Sequence, residues 1–483
     1  MSNSAPRHPL AKWFTNQFSI SSCNSFAELE AGIAALPSER ERGNAFEVFA
    51  EAWLATQRIP QAREIWPCNT ATPSLQQSLR LPLNDMGVDG LFESAGDEPT
   101  CYQVKFRTGR PRLTWSELST FFGLADANCG RLVFTNCDEI ARVAEDRRGV
   151  VFVRGGDLDR LSRDDFQVIR AWLAGTDVVR RTKSPRPHQE AAIRDILAAL
   201  ERNSRATALM ACATGKTLVA LWVAERIGAR QVLVLLPSLA LVRQTLHEWL
   251  HETNWPEWEY RCVCSDPTVL PEEDALVVRQ SDLDFKVTTE SANVRRFLER
   301  PTNAVRIVFS TYQSSAIVAA AVAGLTPFDF GVFDEAHKTA GLDGMKLSLA
   351  LKDEQLPIVR RLFLTATPRH YNLPSRDKSG AQRIVFSMDA PDVYGVIAHR
   401  LPFSAAAKAG IITNYKVVIS IVTSEEVTAE ALRRGVVLVK GDKVKARQVA
   451  NQIALQAARG VARPRLARAR PGPARREESV PMR

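Results

Sequence analysis

Residues able to do chemistry fall into two groups along this chain. The first begins at Leu209–Thr217, which ends in Thr214, Gly215, Lys216 and Thr217. A tight loop of this kind at a helix start points backbone N–H groups at an anion. Lys216 would then reach the β- and γ-phosphates, and the Thr217 hydroxyl would help hold Mg²⁺. The strict phosphate-loop signature asks for glycine where Met210 stands, so the loop needs support from elsewhere. Asp334-Glu335-Ala336-His337 supplies it as an adjacent pair of carboxylates. Asp334 suits Mg²⁺ held through water, and Glu335 suits the polarising of a water that attacks a γ-phosphate. Thr365 and Thr367 bring two hydroxyls toward the same edge. The second group lies nearer the N-terminus: Glu47, Asp89, Gln103 and Lys105. An acid, an amide and a lysine on one face suit Mg²⁺, which takes few protein ligands, and the lysine can activate water beside it.

These residues act together only if the right elements carry them. Ala206–Ala211 is an apolar run short enough for a buried strand, and Leu218–Ile227 has helical spacing, so the loop sits at a strand-to-helix junction. Further unalternating apolar runs at Val232–Leu236, Val305–Phe309, Phe330–Phe333 and Arg361–Leu364 predict parallel strands buried on both faces. Together they predict an open α/β sheet with its ligand at the strand C-terminal ends. Toward the N-terminus, Phe26–Gln57 reads as one helix, with Phe46, Phe49 and Trp53 on its apolar side and Glu47 and Glu51 on a neighbouring one. Gly87–Glu93 and Thr100–Arg107 flank the turn formers Ser94–Pro99 and predict a hairpin. With the turn centred near Gly96, Asp89 falls opposite Gln103, on the face that Lys105 shares. Pro60–Pro82 has no assignable pattern.

Two family resemblances follow. Glu47 on its helix, Asp89 in Gly-Val-Asp-Gly and Gln103-Val-Lys105 resemble the PD-(D/E)xK nucleases, in the Mrr-like form with Gln-x-Lys. The resemblance implies that Asp89 binds Mg²⁺, that Lys105 is catalytic with Gln103 and Glu47 assisting, and that the substrate is DNA. The ordered set Arg-Pro-His-Gln189, Ala-Cys-Ala-Thr-Gly-Lys-Thr217, Leu-Pro-Ser238, Phe-Ser-Thr-Tyr-Gln313, Asp-Glu-Ala-His337 and Thr-Ala-Thr367 resembles the first RecA-like domain of superfamily-two helicases (the DEAD/DEAH-box kind). The motors of type I and type III restriction enzymes are the most similar of these. That family implies that Gln189 reads adenine, that Pro237, Ser238, Ser310 and Thr311 contact the DNA backbone, and that Thr365 and Thr367 couple ATP hydrolysis to DNA movement. Ala213 departs from the glycine common at its position, and the added methyl is expected to crowd the loop and lower nucleotide affinity.

The expected architecture is α/β throughout. A nuclease domain (1–175) and a basic linker (176–187) precede a RecA-like ATP-binding domain (188–390). Part of a second RecA-like domain (391–457) and a basic, disordered tail (458–483) follow. Tyr415–Val422 reads as a strand, Lys440–Ala457 as a helix, and no Gln-x-x-Gly-Arg-x-x-Arg stretch follows. The expectation is therefore a truncated motor with slow ATPase and poor unwinding alone. Its expected cofactors are ATP and Mg²⁺, and its partners double-stranded DNA and a missing motor half or other restriction-modification subunits. The alternatives are a non-catalytic DNA- and nucleotide-binding remnant and a nuclease that acts without ATP.

Bulk properties agree with a polyanionic partner. The 483 residues carry a net charge of +9, part of it from the tail. Eight cysteines without a Cys-x-x-Cys pair fit a reducing cytosol, with Cys262 and Cys264 packing rather than binding metal. No signal pattern opens the chain, and its most apolar window, Ala316–Leu325, is too short to span a bilayer, so the expected location is the cytoplasm, with no membrane partner. His247-Glu-Trp-Leu-His251 matches a zinc-protease string. However, Val242, Leu246, Trp249 and Leu250 form that helix's buried stripe and leave both histidines outside it, with no third ligand.

Overall fold

The computed structural model describes residues 5–16, 20–67, 70–81, 87–94, 99–125, 129–176, 180–264, 282–342, 348–370 and 385–414. The expected strand at 415–422, the helix at 440–457 and the tail lie outside them. Among the described residues no helix is long and apolar enough to cross a membrane.

The N-terminal part is built on one mixed sheet. Its strands β1 (Ala62–Pro67), β2 (Gly90–Ser94), β3 (Thr100–Lys105), β4 (Gly130–Thr135) and β5 (Val150–Val153) lie in sequence order. β1, β2 and β3 pair antiparallel, whereas β3, β4 and β5 pair in parallel, with the helix Trp115–Leu124 crossing between β3 and β4. β1 and the helix Pro73–Ser78 occupy the stretch that sequence pattern left unassigned. The single helix expected over 26–57 is two, Phe26–Ala34 and Glu39–Thr56. Pro37 lacks the N–H needed to continue the first, and Ser38 with Glu41 forms a capping box that starts the second. The second helix buries Phe46, Phe49 and Trp53 against Phe134, with ring centroids 5.1–6.1 Å apart. Burial at about 1.5–3 kcal/mol per large side chain fixes this helix, and Glu47 with it, over the sheet.

The second part is an eight-stranded parallel sheet. In chain order its strands are β6 (Arg205–Met210), β7 (Gln231–Leu236), β8 (Trp258–Val263), β9 (Val287–Thr288), β10 (Val305–Thr311), β11 (Phe328–Asp334), β13 (Ile358–Thr365) and β15 (Val396–Leu401). The short strands β12 (Gly341–Leu342) and β14 (Val385–Phe386) form a separate antiparallel pair. Across the sheet the order is β15-β6-β13-β11-β7-β10-β8-β9. The apolar runs are its central strands, buried on both faces as the absence of alternation required. Every pairing is parallel, so all C-terminal ends lie along one edge, and β6, β13 and β11 are immediate neighbours there. Within the stretch 391–457, expected to be part of a second domain, β15 pairs in parallel with β6 of this sheet. Gly395 makes that approach possible: a side chain there would meet the Arg205 backbone at 2.2 Å.

One helix of this second part, Leu239–Glu252, also holds the N-terminal part. Arg58 donates to the carbonyls of Leu250 (2.6 Å) and Thr253 (3.1 Å), placing a cation on the helix C-terminus where the macrodipole favours one. Arg243 pairs with Asp157 and Asp284, and the Tyr260 hydroxyl donates to the Ile59 carbonyl at 2.7 Å.

Candidate functional site

The ends of β6, β11 and β13 form the first site. β6 runs into a loop that turns on two left-handed residues, Ala213 (φ 63°) and Gly215 (φ 83°), before the helix Lys216–Ile227. The left-handed backbone at Gly215 favours glycine, and a side chain there would have to push aside the Gln189 amide, 2.2 Å away. Thr214 is buried, and its hydroxyl donates to the Ala211 carbonyl at 2.7 Å. Gln189 locks the loop from outside. Its Nε2 donates to the Thr214 carbonyl (3.2 Å), and its Oε1 accepts from the Arg186 N–H (2.8 Å). In this conformation Gln189 braces the loop rather than offering its amide to a base.

Lys216 is buried, with Nζ 3.3 Å from the Met210 carbonyl and 3.6 Å from Glu335 Oε1. The loop and the acidic pair, far apart in sequence, therefore meet. Glu335 takes a left-handed conformation (φ 49°) as β11 ends. His337 Nδ1 lies 3.4 Å from Glu335 Oε2 and 2.9 Å from Thr365 Oγ1, which links the end of β13 to the same acid. Thr365 in turn accepts from the Thr367 N–H at 3.1 Å. The two carboxyls are driven apart. The His337 hydrogen bond holds Glu335 below the usual carboxylate range, whereas burial and then the Glu335 charge push Asp334 up to about 6. A pair split in this way can place a base beside a metal ligand. The residues fit ATP·Mg²⁺: loop amides and Lys216 would hold phosphates, and Thr217 and Asp334 a cation whose charge relieves the Asp334 carboxyl.

The expected DNA contacts divide. Pro237 and Ser238 are partly exposed, and Ser238 caps the helix Leu239–Glu252 by accepting from the Leu241 N–H (3.3 Å). Ser310 and Thr311 are placed differently. Both are buried at the end of β10, where Ser310 bonds the Thr311 carbonyl and Thr311 bonds Ser314. In that segment the exposed side chain is Gln313.

The hairpin carries the second site. Its register, Gly90 opposite Tyr102, sets Asp89 against Gln103 as the turn chemistry implied. The Asp89 N–H donates to the Tyr102 carbonyl (3.0 Å), and Asp89 Oδ2 accepts from the Val104 N–H at 2.6 Å. Gln103 is buried, and its Oε1 accepts no hydrogen bond among the described residues. A buried carbonyl oxygen without a donor is costly unless a cation or water meets it. Lys105 follows two residues on, half-buried at the strand end. Glu47 receives His8 Nε2 at 3.4 Å, a contact that sequence spacing does not reveal. His8 Nδ1 accepts from the Leu10 N–H, and Glu51 holds the N–H groups of Arg7 and His8, so the N-terminal segment is pinned to the helix bearing Glu47. Oxygen donors of one carboxylate and one amide suit Mg²⁺, and among the described residues no cluster of three His, Cys, Asp or Glu could hold a metal instead. His247 and His251 of the zinc-protease string are engaged by Asp284 and Glu252.

Comparison with known proteins matches residues 182–370 to the family described as type III restriction enzyme, res subunit. The chain is 27% identical over 245 residues to the probable helicase A859L of African swine fever virus (isolate Tick/Malawi/Lil 20-1/1983), covering 50% of this chain and 25% of that protein. A second isolate of the virus, Pig/Kenya/KEN-50/1950, gives 27% over 273 residues, 56% of this chain and 28% of that one. The match thus spans about a quarter of the length of these relatives. Among solved structures, the ATP-dependent type ISP restriction-modification enzyme LlaBIII bound to DNA superposes with a TM-score of 0.62 at 24% identity. It covers 80% of this chain and 26% of that one, a likeness of fold. Residues 182–370 are thus similar to the helicase-like domain of restriction enzymes.

Proposed function

We propose that this chain is a restriction-type enzyme in which an ATP- and Mg²⁺-dependent motor acts on double-stranded DNA beside a Mg²⁺-dependent DNA endonuclease domain. The observation that carries the motor reading is the approach of Lys216 to Glu335, at 3.6 Å, between neighbouring strand ends. Lys216 binds and orients the phosphates, Glu335 takes a proton from the attacking water, and His337 fixes that carboxylate while tying it to Thr365. Magnesium, when bound, supplies charge neutralisation on the phosphates. The nuclease reading is supported by Asp89 facing Gln103 and by the Gln103 oxygen, which accepts no hydrogen bond among the described residues. There Asp89 and Gln103 would hold the cation, and Lys105 would stabilise charge on the scissile phosphate. The restriction-enzyme family match and the DNA in the LlaBIII structure support DNA as the substrate.

Supercoiled plasmid incubated with the full chain and Mg²⁺, with and without ATP, tests both halves. Cleavage is expected, and Asp89→Ala or Lys105→Ala should abolish it while leaving ATP hydrolysis intact. Cutting that persists in both variants would remove the nuclease half of the reading.

A further inference from the structure

The N-terminal sheet brings together two groups that neither site above uses. Cys101 on β3 and Cys129, one residue ahead of β4, are 28 positions apart in sequence, yet their sulfurs stand 2.8 Å from each other. The strand pairing makes the meeting. β3 and β4 run in parallel with Thr100 opposite Gly130 and Cys101 opposite Arg131, which leaves Cys129 diagonally across from Cys101.

Both cysteines belong to the apolar cluster that includes Leu118, Phe121 and Val133. Packed carbon atoms of such a cluster keep about 3.5–4.0 Å apart. The two sulfurs are nearer than that, so they face each other with nothing between them. A disulfide requires side chains aimed at one another, and that aim is already present. Cys101 is fully buried, whereas Cys129 is 7% exposed, so an oxidant from solvent meets Cys129 first. Once that sulfur is oxidised, a second sulfur already in contact outcompetes any thiol arriving from solution. Alternation along β3 puts Cys101 on the face that Gln103 and Lys105 share. A bridge here would fasten the start of β4 to the strand carrying the second candidate site.

We propose that Cys101 and Cys129 are a peroxide-sensitive dithiol that closes to a reversible disulfide across β3 and β4. Cys129 gives up its proton and attacks one oxygen of hydrogen peroxide; the O–O bond breaks, leaving a sulfenic acid and water. The Cys101 sulfur then attacks the Cys129 sulfur. The S–S bond forms, the S–O bond breaks, and the hydroxyl leaves as a second water with the Cys101 proton. Peroxide gains the two electrons that the two thiols lose, and a thiol reductant reverses the bridge. The bridge requires neither ATP hydrolysis nor DNA cleavage.

The test is a peptide map of the full chain, reduced, exposed to hydrogen peroxide, denatured in iodoacetamide and digested with trypsin without reductant. The two cysteines fall in separate tryptic peptides, 81–105 and 113–131, and Cys68 and Cys137 fall in others. Expected is a linked pair lighter than the sum of its peptides by two hydrogen atoms, and absent when dithiothreitol precedes the alkylation. In Cys129→Ala the peptide 81–105 should instead be recovered alkylated. Recovery of both peptides alkylated from the parent chain, under peroxide that oxidises the exposed Cys212, overturns the proposal. So does a bridge from either cysteine to Cys68 or Cys137, or sulfinic acid at Cys129 with Cys101 unlinked. Should Cys129→Ala fail to fold, the map of the parent chain decides alone.

Discussion

The two candidate sites reach their geometry by opposite routes. At the phosphate loop the side chains that would act already hold one another: Gln189 braces Thr214, Lys216 leans on Glu335, and Glu335 is held by His337. At the hairpin Asp89 takes the Val104 N–H, but the Gln103 oxygen meets no donor among the described residues. The first site is therefore a self-consistent electrostatic unit that a ligand must rearrange. The second is a rigid frame with one contact missing, which a cation can complete. The difference predicts that damage to one leaves the other working. Lys216→Ala should reduce ATP hydrolysis by at least about 10²–10³-fold, since the lysine serves both the phosphates and the Glu335 charge. ATP-independent plasmid nicking should be unaffected. Loss of both activities from this one change would mean that the sites are not separable.

A smaller effect sharpens the contrast through pH. Asp334 has its carboxyl at about 6, raised by burial first and by Glu335 second, against about 3.9 in an unfolded chain. Because the folded value is the higher one, the native state binds the proton more tightly. Stability is then full below the unfolded value and falls as pH rises from about 4 to about 6, by up to about 3 kcal/mol. Cation binding needs the carboxylate and runs the other way, so affinity for ATP·Mg²⁺ should rise as pH passes through 6. Asp334→Asn should raise the melting temperature of the nucleotide-free chain at neutral pH while ending hydrolysis. A lower melting temperature in that variant would show that burial is not what controls the carboxyl.

Much of this was legible in the sequence because it depends on period and spacing. Unbroken apolar runs announced the parallel strands, and turn chemistry set Asp89 opposite Gln103, since antiparallel register follows from where the turn centres. Less legible features depend on what a residue meets after folding. β1 was hidden among prolines, and β15 looked like the start of something new because nothing local says that it will pair with β6, almost two hundred positions earlier. The burial of Ser310 and Thr311 follows from a strand that continues past its apolar run. His8 beside Glu47, and Arg58 on the end of the helix Leu239–Glu252, are meetings of segments that carry no motif.

The smallest expected effect concerns the left-handed positions. Beside Gln103 the chain uses Gly87 (φ 106°), where a side chain would come within 3.2 Å of Thr120. The phosphate loop instead tolerates Ala213 at φ 63°, exposed and without a fold-level reason to be alanine. A left-handed L-residue costs roughly 1–2 kcal/mol, and glycine would remove that cost while adding about 0.5–1 kcal/mol of unfolded-state entropy. Ala213→Gly should therefore stabilise the chain by about 1 kcal/mol or less, read as a rise of a few degrees at most in melting temperature. Its affinity for ATP·Mg²⁺ should hold or tighten slightly, because the amides must adopt this conformation to face phosphate. Ala213→Val, with a branched side chain at positive φ, should do the reverse. If glycine instead weakened nucleotide binding, the methyl would be a contact that the loop uses, and the account of strain at this position would fail.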